Sequence, residues 1–298
     1  MHRYRPDGAL GSSWHSYLQE DGQESLPIQE DETALVLFML AQFYQKTKDD
    51  RMLKDFYPTL VIPMSEFLAS YIDSTTGLPL ASYDLWEESH QTTTFTTGAV
   101  YGALVAASEL ATAFDDDNNA VAWRAVADDM LSAAHKHLYN PDRKAFYKGV
   151  SIQNGEITSK DETVDISSFF GAFMFGLFAG DSIEVKNAAE TSKRVLGFDY
   201  ERPAMSRYEN DRYCQAVNGT SNFWPIASLW MSQYELEIGN NEISRQTIDW
   251  IKQRMLPTGV LPEQLNPSNS QPVSVAPLAW SHAEYLATLL DTITEVGD

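Results

Sequence analysis

The sequence predicts an all-α fold of about nine helices with one small β-hairpin, and three observations carry that prediction. Apolar residues recur at helical spacing along most of the chain. Turn signals divide the helical stretches into pairs, joined either by short turns or by longer polar loops. No low-complexity tract or Pro/Ser-rich linker interrupts the series, which favours a single domain over residues 1–298.

The first helix spans residues 31–47, with an apolar stripe and with Glu30 or Asp31 where the helix dipole favours an acid. A second helical stretch covers residues 50–72, and Pro58 and Pro63 should kink or divide it. TTGLPL, at 75–80, is a turn. Residues 95–114 form a helix of small residues suited to close packing, and a further helix over 120–139 ends before Asn140 and Pro141. A hairpin follows, with strands over 145–152 and 156–159 around an Asn154–Gly155 turn. Helices resume at 165–179, 184–195, 221–237, 241–255 and 275–295, and an irregular segment carries residues 207–213. The longer loops (1–29, 79–94, 140–164, 200–220 and 256–274) hold nearly all the unusual residues, which points to one functional end of a helical assembly.

Composition excludes several function classes. The net charge of −21 comes from 42 acidic against 21 basic residues, a field that repels nucleic acid and anionic lipid alike. A neutral ligand meets no such barrier. Cys214 is the single cysteine, so no intrachain disulfide can form, and the six histidines show no zinc-binding spacing. No apolar run reaches the ~18 residues of a membrane span, and MHRYRPDGALGSSWH lacks a signal peptide's apolar core, so the sequence reads as cytoplasmic. The motifs GxSxG, GxxxxGK[ST] and GxGxxG are all missing, and nothing asks for a metal or an organic cofactor.

Four segments hold residues able to do chemistry. SYDLWEES, at 82–89, sets Asp84, Glu87 and Glu88 around Trp86; a carboxyl packed on an indole and crowded by acids is raised toward the value a general acid needs. The ordinary alternative is a charged loop ahead of a helix. TGVLPEQLNP, at 258–267, places Glu263 in a loop, where it can serve as the second carboxyl of a glycosidase or simply be a surface acid. SRYENDRY, at 206–213, offers Arg207 and Asp211 either as a surface ion pair or as donors and acceptors for sugar hydroxyls. PLAWSHAEYL, at 277–286, puts Trp280 near the start of the last helix, on the side of the Glu263 loop, as a core ring or a cleft ring.

Together with RYRPDGALGSSWH (3–15), LPIQEDETAL (26–35), FTTGAVYGAL (95–104) and SNFWPIASLW (221–230), and in this order, these segments resemble glycoside hydrolase family 15, the glucoamylases with their glucodextranase and trehalase relatives. The resemblance implies an (α/α)6 barrel, a six-hairpin toroid with its active site at the end bearing the long loops. It implies Glu87 as catalytic acid, Glu263 as general base, Trp86 and Glu88 at the glycone site, Arg207 and Asp211 as the substrate-binding pair, and Trp280 lining the pocket. The reaction it implies inverts the anomeric centre, with the two carboxyls roughly 6.5–9.5 Å apart and a water between. Its substrate would be an α-glucan or oligosaccharide cut at the non-reducing end through α-1,4 and some α-1,6 links, and no cofactor is implied.

The sequence departs from the family at its start. The family's barrel has twelve helices, and an Arg–Asp pair near its beginning has no counterpart ahead of Arg3. The expectation is therefore an incomplete barrel, through a shortened reading frame or completion by a separate chain supplying the missing helices. It carries the further expectation that this chain alone hydrolyses substrate poorly. Beside the glucan hydrolase stand a trehalose- or dextran-type hydrolase, a non-catalytic glucan-binding remnant and a helical interaction protein.

Overall fold

The computed structural model describes residues 28–294, so the segment 3–15 and the first two residues of LPIQEDETAL lie outside the described residues. The elements in chain order are α1 (Glu30–Thr47), α2 (Asp50–Phe56), a π-helical turn (Tyr57–Val61), α3 (Ile62–Ser70), β1 (Ser82–Tyr83), β2 (His90–Thr93), α4 (Thr94–Ala113), α5 (Asp117–His137), β3 (Tyr139–Asn140), β4 (Ala145–Phe146), β5 (Gly149–Gln153), β6 (Glu156–Asp161), α6 (Ile166–Met174), α7 (Ile183–Leu196), α8 (Pro225–Glu237), α9 (Asn241–Lys252), β7 (Gln264–Leu265), β8 (Pro272–Val273) and α10 (Ala279–Thr294). Counting α2 to α3 as one interrupted helix, nine helices stand among the described residues. None of them is long and apolar enough to cross a membrane.

Local chemistry sets the boundaries. Pro58 has no N–H to give and its ring crowds the preceding turn, so the helix widens there; the Ile62 N–H bonds to the Tyr57 carbonyl, five residues back. The Asp116 side chain accepts from the Asn119 N–H and starts α5 at Asp117, three residues earlier than the sequence pattern placed it. Pro225 takes the first position of α8, where its missing donor costs nothing, so that helix starts later than expected. The 165–179 helix stops at Met174, and the last helix begins only at Ala279.

The single expected hairpin is corrected to a four-stranded antiparallel sheet of order β1-β2-β5-β6, beside two-stranded pairings of β3 with β4 and of β7 with β8. Its β5–β6 turn is the anticipated Asn154–Gly155, with φ of 53° and 77°, the left-handed pair that a two-residue hairpin turn demands. β1 and β2 form a second hairpin, Ser82 opposite Gln91 and Tyr83 opposite His90, in what the sequence offered as loop.

The described chain forms two compact units. The first takes in the described residues up to Tyr139 with Tyr147–Asp161 and Gly171–Phe178. Its core is built by α1, α3, α4 and α5 around Leu37, Met64, Leu68, Leu104 and Met130, all fully buried. The small residues of α4 earn their place: a Cβ on Gly98 would lie 2.3 Å from the Gly171 carbonyl oxygen. The second unit comprises Asn140–Phe146, Glu162–Phe170 and the described residues from Ala179 onward. There α8 packs on α9 and α10, and Ala204, Phe223, Leu229, Trp250, Ile251, Leu261 and Leu265 make one buried cluster.

Candidate active site

In the first unit the sequence-predicted Glu87, Glu88 and Trp86 sit at the tip of the β1–β2 hairpin. Asp84 organises that tip. Its carbonyl accepts the Glu87 N–H at 2.8 Å, closing a turn, and its own N–H reaches the Ser89 carbonyl at 2.9 Å. One carboxylate oxygen, Oδ1, accepts the N–H groups of Glu88 (2.7 Å) and Ser89 (2.9 Å). The other, Oδ2, lies 3.4 Å from the Lys148 ammonium, in a pair whose two side chains are almost wholly buried. Glu87 takes a left-handed backbone (φ 62°), which costs a non-glycine residue about 1–2 kcal/mol and persists because the loop's hydrogen bonds define it.

The electrostatics of the tip are one-sided. Glu87 is partly buried, and its carboxyl is pushed up to about 7, first by burial and then by the negative charges of Glu32, Asp31 and Asp84. Trp86, which precedes it, is 8% exposed, while Glu88 is exposed. Glu30 and Asp31, at the start of α1, are fully buried. Burial, opposed by a 3.0 Å hydrogen bond from the Thr96 hydroxyl and reinforced by Glu32, brings Asp31 to about 7. Glu30 is pushed well above the usual carboxylate range by burial and then by Asp31, and neither of its carboxyl oxygens has a hydrogen-bond partner among the described residues.

In the second unit Glu263 lies just before β7, and its segment is stitched to the start of α10. The Ser281 hydroxyl donates to the Pro262 carbonyl (3.2 Å), the Leu261 N–H donates to His282 Nε2 (2.9 Å), and the Leu278 N–H donates to the Leu261 carbonyl (3.2 Å). The Glu263 carboxylate accepts from the Ser274 hydroxyl and, at 3.1 Å, from the Gln264 amide. Gln264 is itself fixed by Asn222, whose amide donates to its side-chain oxygen. Tyr213 stands close enough to Glu263 that the carboxylate's charge raises its hydroxyl, ahead of burial.

Arg207 and Asp211 also belong to this unit, and they hold one another. The guanidinium donates from Nε to Asp211 Oδ2 (2.8 Å) and from Nη2 to Oδ1 (2.9 Å), with both residues buried. Its plane lies over the Trp224 ring at 4.3 Å, which adds a cation–π contact. Trp280 meets Trp230 edge to face at 5.6 Å. Between them, Glu284 is pushed up by burial, with hydrogen bonds from Gln233, Trp230 and Trp280 opposing that shift.

Sequence reasoning did not foresee the roles of Asp31, Lys148, Gln264, Ser274 or Glu284. The signal for Asp84 was present, since an Asp opening a turn commonly accepts from N–H groups further along. Gln264 lies inside the segment TGVLPEQLNP, next to Glu263. Lys148 and Ser274 gave no local signal, because their partners are distant in sequence. No group of three or more His, Cys, Asp or Glu side chains among the described residues could hold a metal ion.

Comparison with known proteins decides the family. The model of glycosyl hydrolases family 15 matches residues 15–253. The chain belongs to glycosyl hydrolases family 15. An uncharacterized glycosyl hydrolase of Methanocaldococcus jannaschii is 25% identical over 288 residues, which is 92% of this chain and 44% of that protein. This family 15 chain thus spans less than half the length of the curated relative it matches. A bacterial glucoamylase complexed with acarbose superposes with a TM-score of 0.73 at 19% identity, over 92% of this chain and 42% of that one. The glucoamylase of Saccharomycopsis fibuligera gives a TM-score of 0.68 at 16% identity, over 89% and 52%. At such identities the likeness shows the fold alone: family 15 membership and these neighbours together give the all-α toroid class that the sequence resemblance implied.

Proposed function

We propose that this chain carries the chemistry of an inverting, exo-acting glycoside hydrolase that releases glucose from the non-reducing ends of α-1,4-glucans, with some α-1,6 cleavage. Glu87 acts as general acid and delivers its proton to the glycosidic oxygen; Glu263 acts as general base and takes a proton from the attacking water. Trp86 and Glu88 hold the glycone sugar, and Arg207, Asp211 and Trp280 contribute to sugar binding. Family membership and the glucoamylase neighbours support a carbohydrate substrate.

The observation that carries the reading is Glu87. A partly buried carboxyl pushed up to about 7 by burial and by neighbouring acids keeps its proton near neutrality, which is what an acid catalyst requires. Glu263 has a different setting, since two donors, Ser274 and Gln264, converge on its carboxylate and fix its orientation. Cytoplasmic location belongs to the same proposal and is tested by cell fractionation.

Glucose release from maltose, starch, dextran and trehalose by the purified protein tests the substrate. Proton NMR of the first-formed sugar tests the stereochemistry, β-glucose from an α-linked substrate marking inversion. Glu87→Gln should lower kcat by about 10²–10⁴-fold while leaving substrate binding nearly intact. Near-normal turnover by that variant would remove Glu87 from the acid's role.

A further inference from the structure

We infer that Lys148 is a positioning residue for the acid-bearing hairpin: its buried ammonium holds the Asp84 carboxylate, and Asp84 holds Glu87 in its left-handed conformation. The inference rests on the reading of Glu87 as general acid and adds a residue outside every motif of the sequence.

Three observations combine. Lys148 is 7% exposed and Asp84 2%, so the two charges face each other with little water to screen them. A lysine so placed is not a surface ornament, because burying an ammonium is costly unless it is paired.

Lys148 is also rigidly mounted. Its N–H donates to the Asp161 carbonyl (2.8 Å), and its carbonyl accepts the Thr94 N–H (3.1 Å), which ties it to β6 and to the first residue of α4. The adjoining register, Thr93 opposite Gly149, runs β5 alongside β2. The ammonium is therefore presented from a fixed frame across the strand that leads out of the hairpin.

Asp84 then passes that rigidity on. Its Oδ2 is turned to Lys148, which leaves Oδ1 directed at the N–H groups of Glu88 and Ser89, while its carbonyl accepts from Glu87. All three residues after Trp86 are thus referred to one residue, Glu88 and Ser89 through its side chain and Glu87 through its backbone carbonyl. Removing the cation leaves Asp84 buried beside Glu87, whose carboxyl already has Glu32 and Asp31 as acidic neighbours. The carboxylate would then swing toward any available donor or water, and the turn that fixes Glu87 would loosen.

The test uses the whole chain and has two independent readouts. In Lys148→Met, amide hydrogen exchange at Glu88 and Ser89, followed by NMR, should accelerate by about tenfold or more, while amides in the core of α4 keep their protection. Turnover on maltose should fall by about tenfold or more with KM little changed, and Lys148→Arg should recover most of both losses. In the Asp84→Asn background, Lys148→Met should add little, because the two act through one contact. Unchanged protection of the Glu88 and Ser89 amides in Lys148→Met overturns the inference, whatever the activity. So does full additivity of the two substitutions. A failure of the Glu87 reading shows separately, as an active Glu87→Gln protein, and leaves the exchange result to judge the contact itself.

Discussion

Replacing Asp31 by Asn should make the protein's stability less sensitive to pH, and the size of the change follows from where that side chain sits. Asp31 is 1% exposed and its carboxyl is raised from 3.8 to about 7, with burial as the largest cause. The folded protein therefore holds the proton more tightly than the unfolded chain does. Between the two values the folded state binds more protons, so stability declines as pH rises through this window and levels off above it. The contribution is fully present below pH 3.8 and gone above about 7.

Each unit of pH within the window is worth about 1.36 kcal/mol, so from pH ~5 to pH ~7 this one carboxyl removes about 2–3 kcal/mol. Asn is nearly the same shape, keeps an oxygen for the Thr96 hydroxyl at 3.0 Å and does not titrate. The stability advantage of Asp31→Asn over the parent should accordingly widen by about 2–3 kcal/mol across that interval. Urea unfolding at several pH values, compared through the midpoint at constant m, measures it. Glu30 titrates in both proteins, so only the difference between the two curves is diagnostic. Parallel curves would mean that the Asp31 carboxylate finds compensation in the folded state, and the account of this acidic cluster would be wrong.

The same cluster should set the pH dependence of catalysis. In the proposed role of general acid Glu87 acts when protonated, so the rate should fall on the alkaline side with an apparent value near 7, and Asp31→Asn should move that limb to lower pH by removing a negative neighbour; an unmoved limb would detach Asp31 from the acid. Ser274→Ala deletes the hydroxyl that bonds Glu263, a bond to a charged group worth ~1.5 kcal/mol, so kcat should drop about tenfold with KM little altered in steady-state assays. Lys193→Met breaks a 2.6 Å pair with the wholly buried Glu235 and should cost about 3–5 kcal/mol of stability by denaturant titration, while turnover per folded molecule is kept.

The helices were legible because each carries its own periodicity, and the structure moves their ends only where a cap or a proline intervenes, as at Asp116 and Pro225. The β1–β2 hairpin was not legible. Ser82–Tyr83 is too short to show alternation, and His90–Thr93 is polar, so its burial comes from β5 and the start of α4 rather than from its own pattern. Asp31 shows how a correct local rule can hide a site. An acid in the first turn of a helix is expected for the dipole alone, and nothing local distinguishes a solvated one from one buried against the Thr96 hydroxyl. The long-and-short alternation of loops singled out the segments that hold Glu87 and Glu263, but the partners that orient these two residues come from strand and loop neighbours remote in sequence.

Two carboxyls three residues apart, Asp84 and Glu87, make opposite demands on one hairpin. Asp84 needs donors and a counter-charge to hold the turn, and it has two backbone N–H groups and the Lys148 ammonium. As the proposed general acid, Glu87 needs a setting that discourages its negative charge, and burial with Glu32, Asp31 and Asp84 supplies one. Placing the cation on the inner residue satisfies both demands, because Lys148 steadies the turn through Asp84 while burial and the α1 acids still dominate at Glu87. A cation moved from Asp84 onto Glu87 would strip the acid of its proton near neutrality. The buried lysine at 148 and the acids at 31 and 32 are therefore complementary parts of one electrostatic arrangement, and altering either should change how the hairpin tip handles a proton.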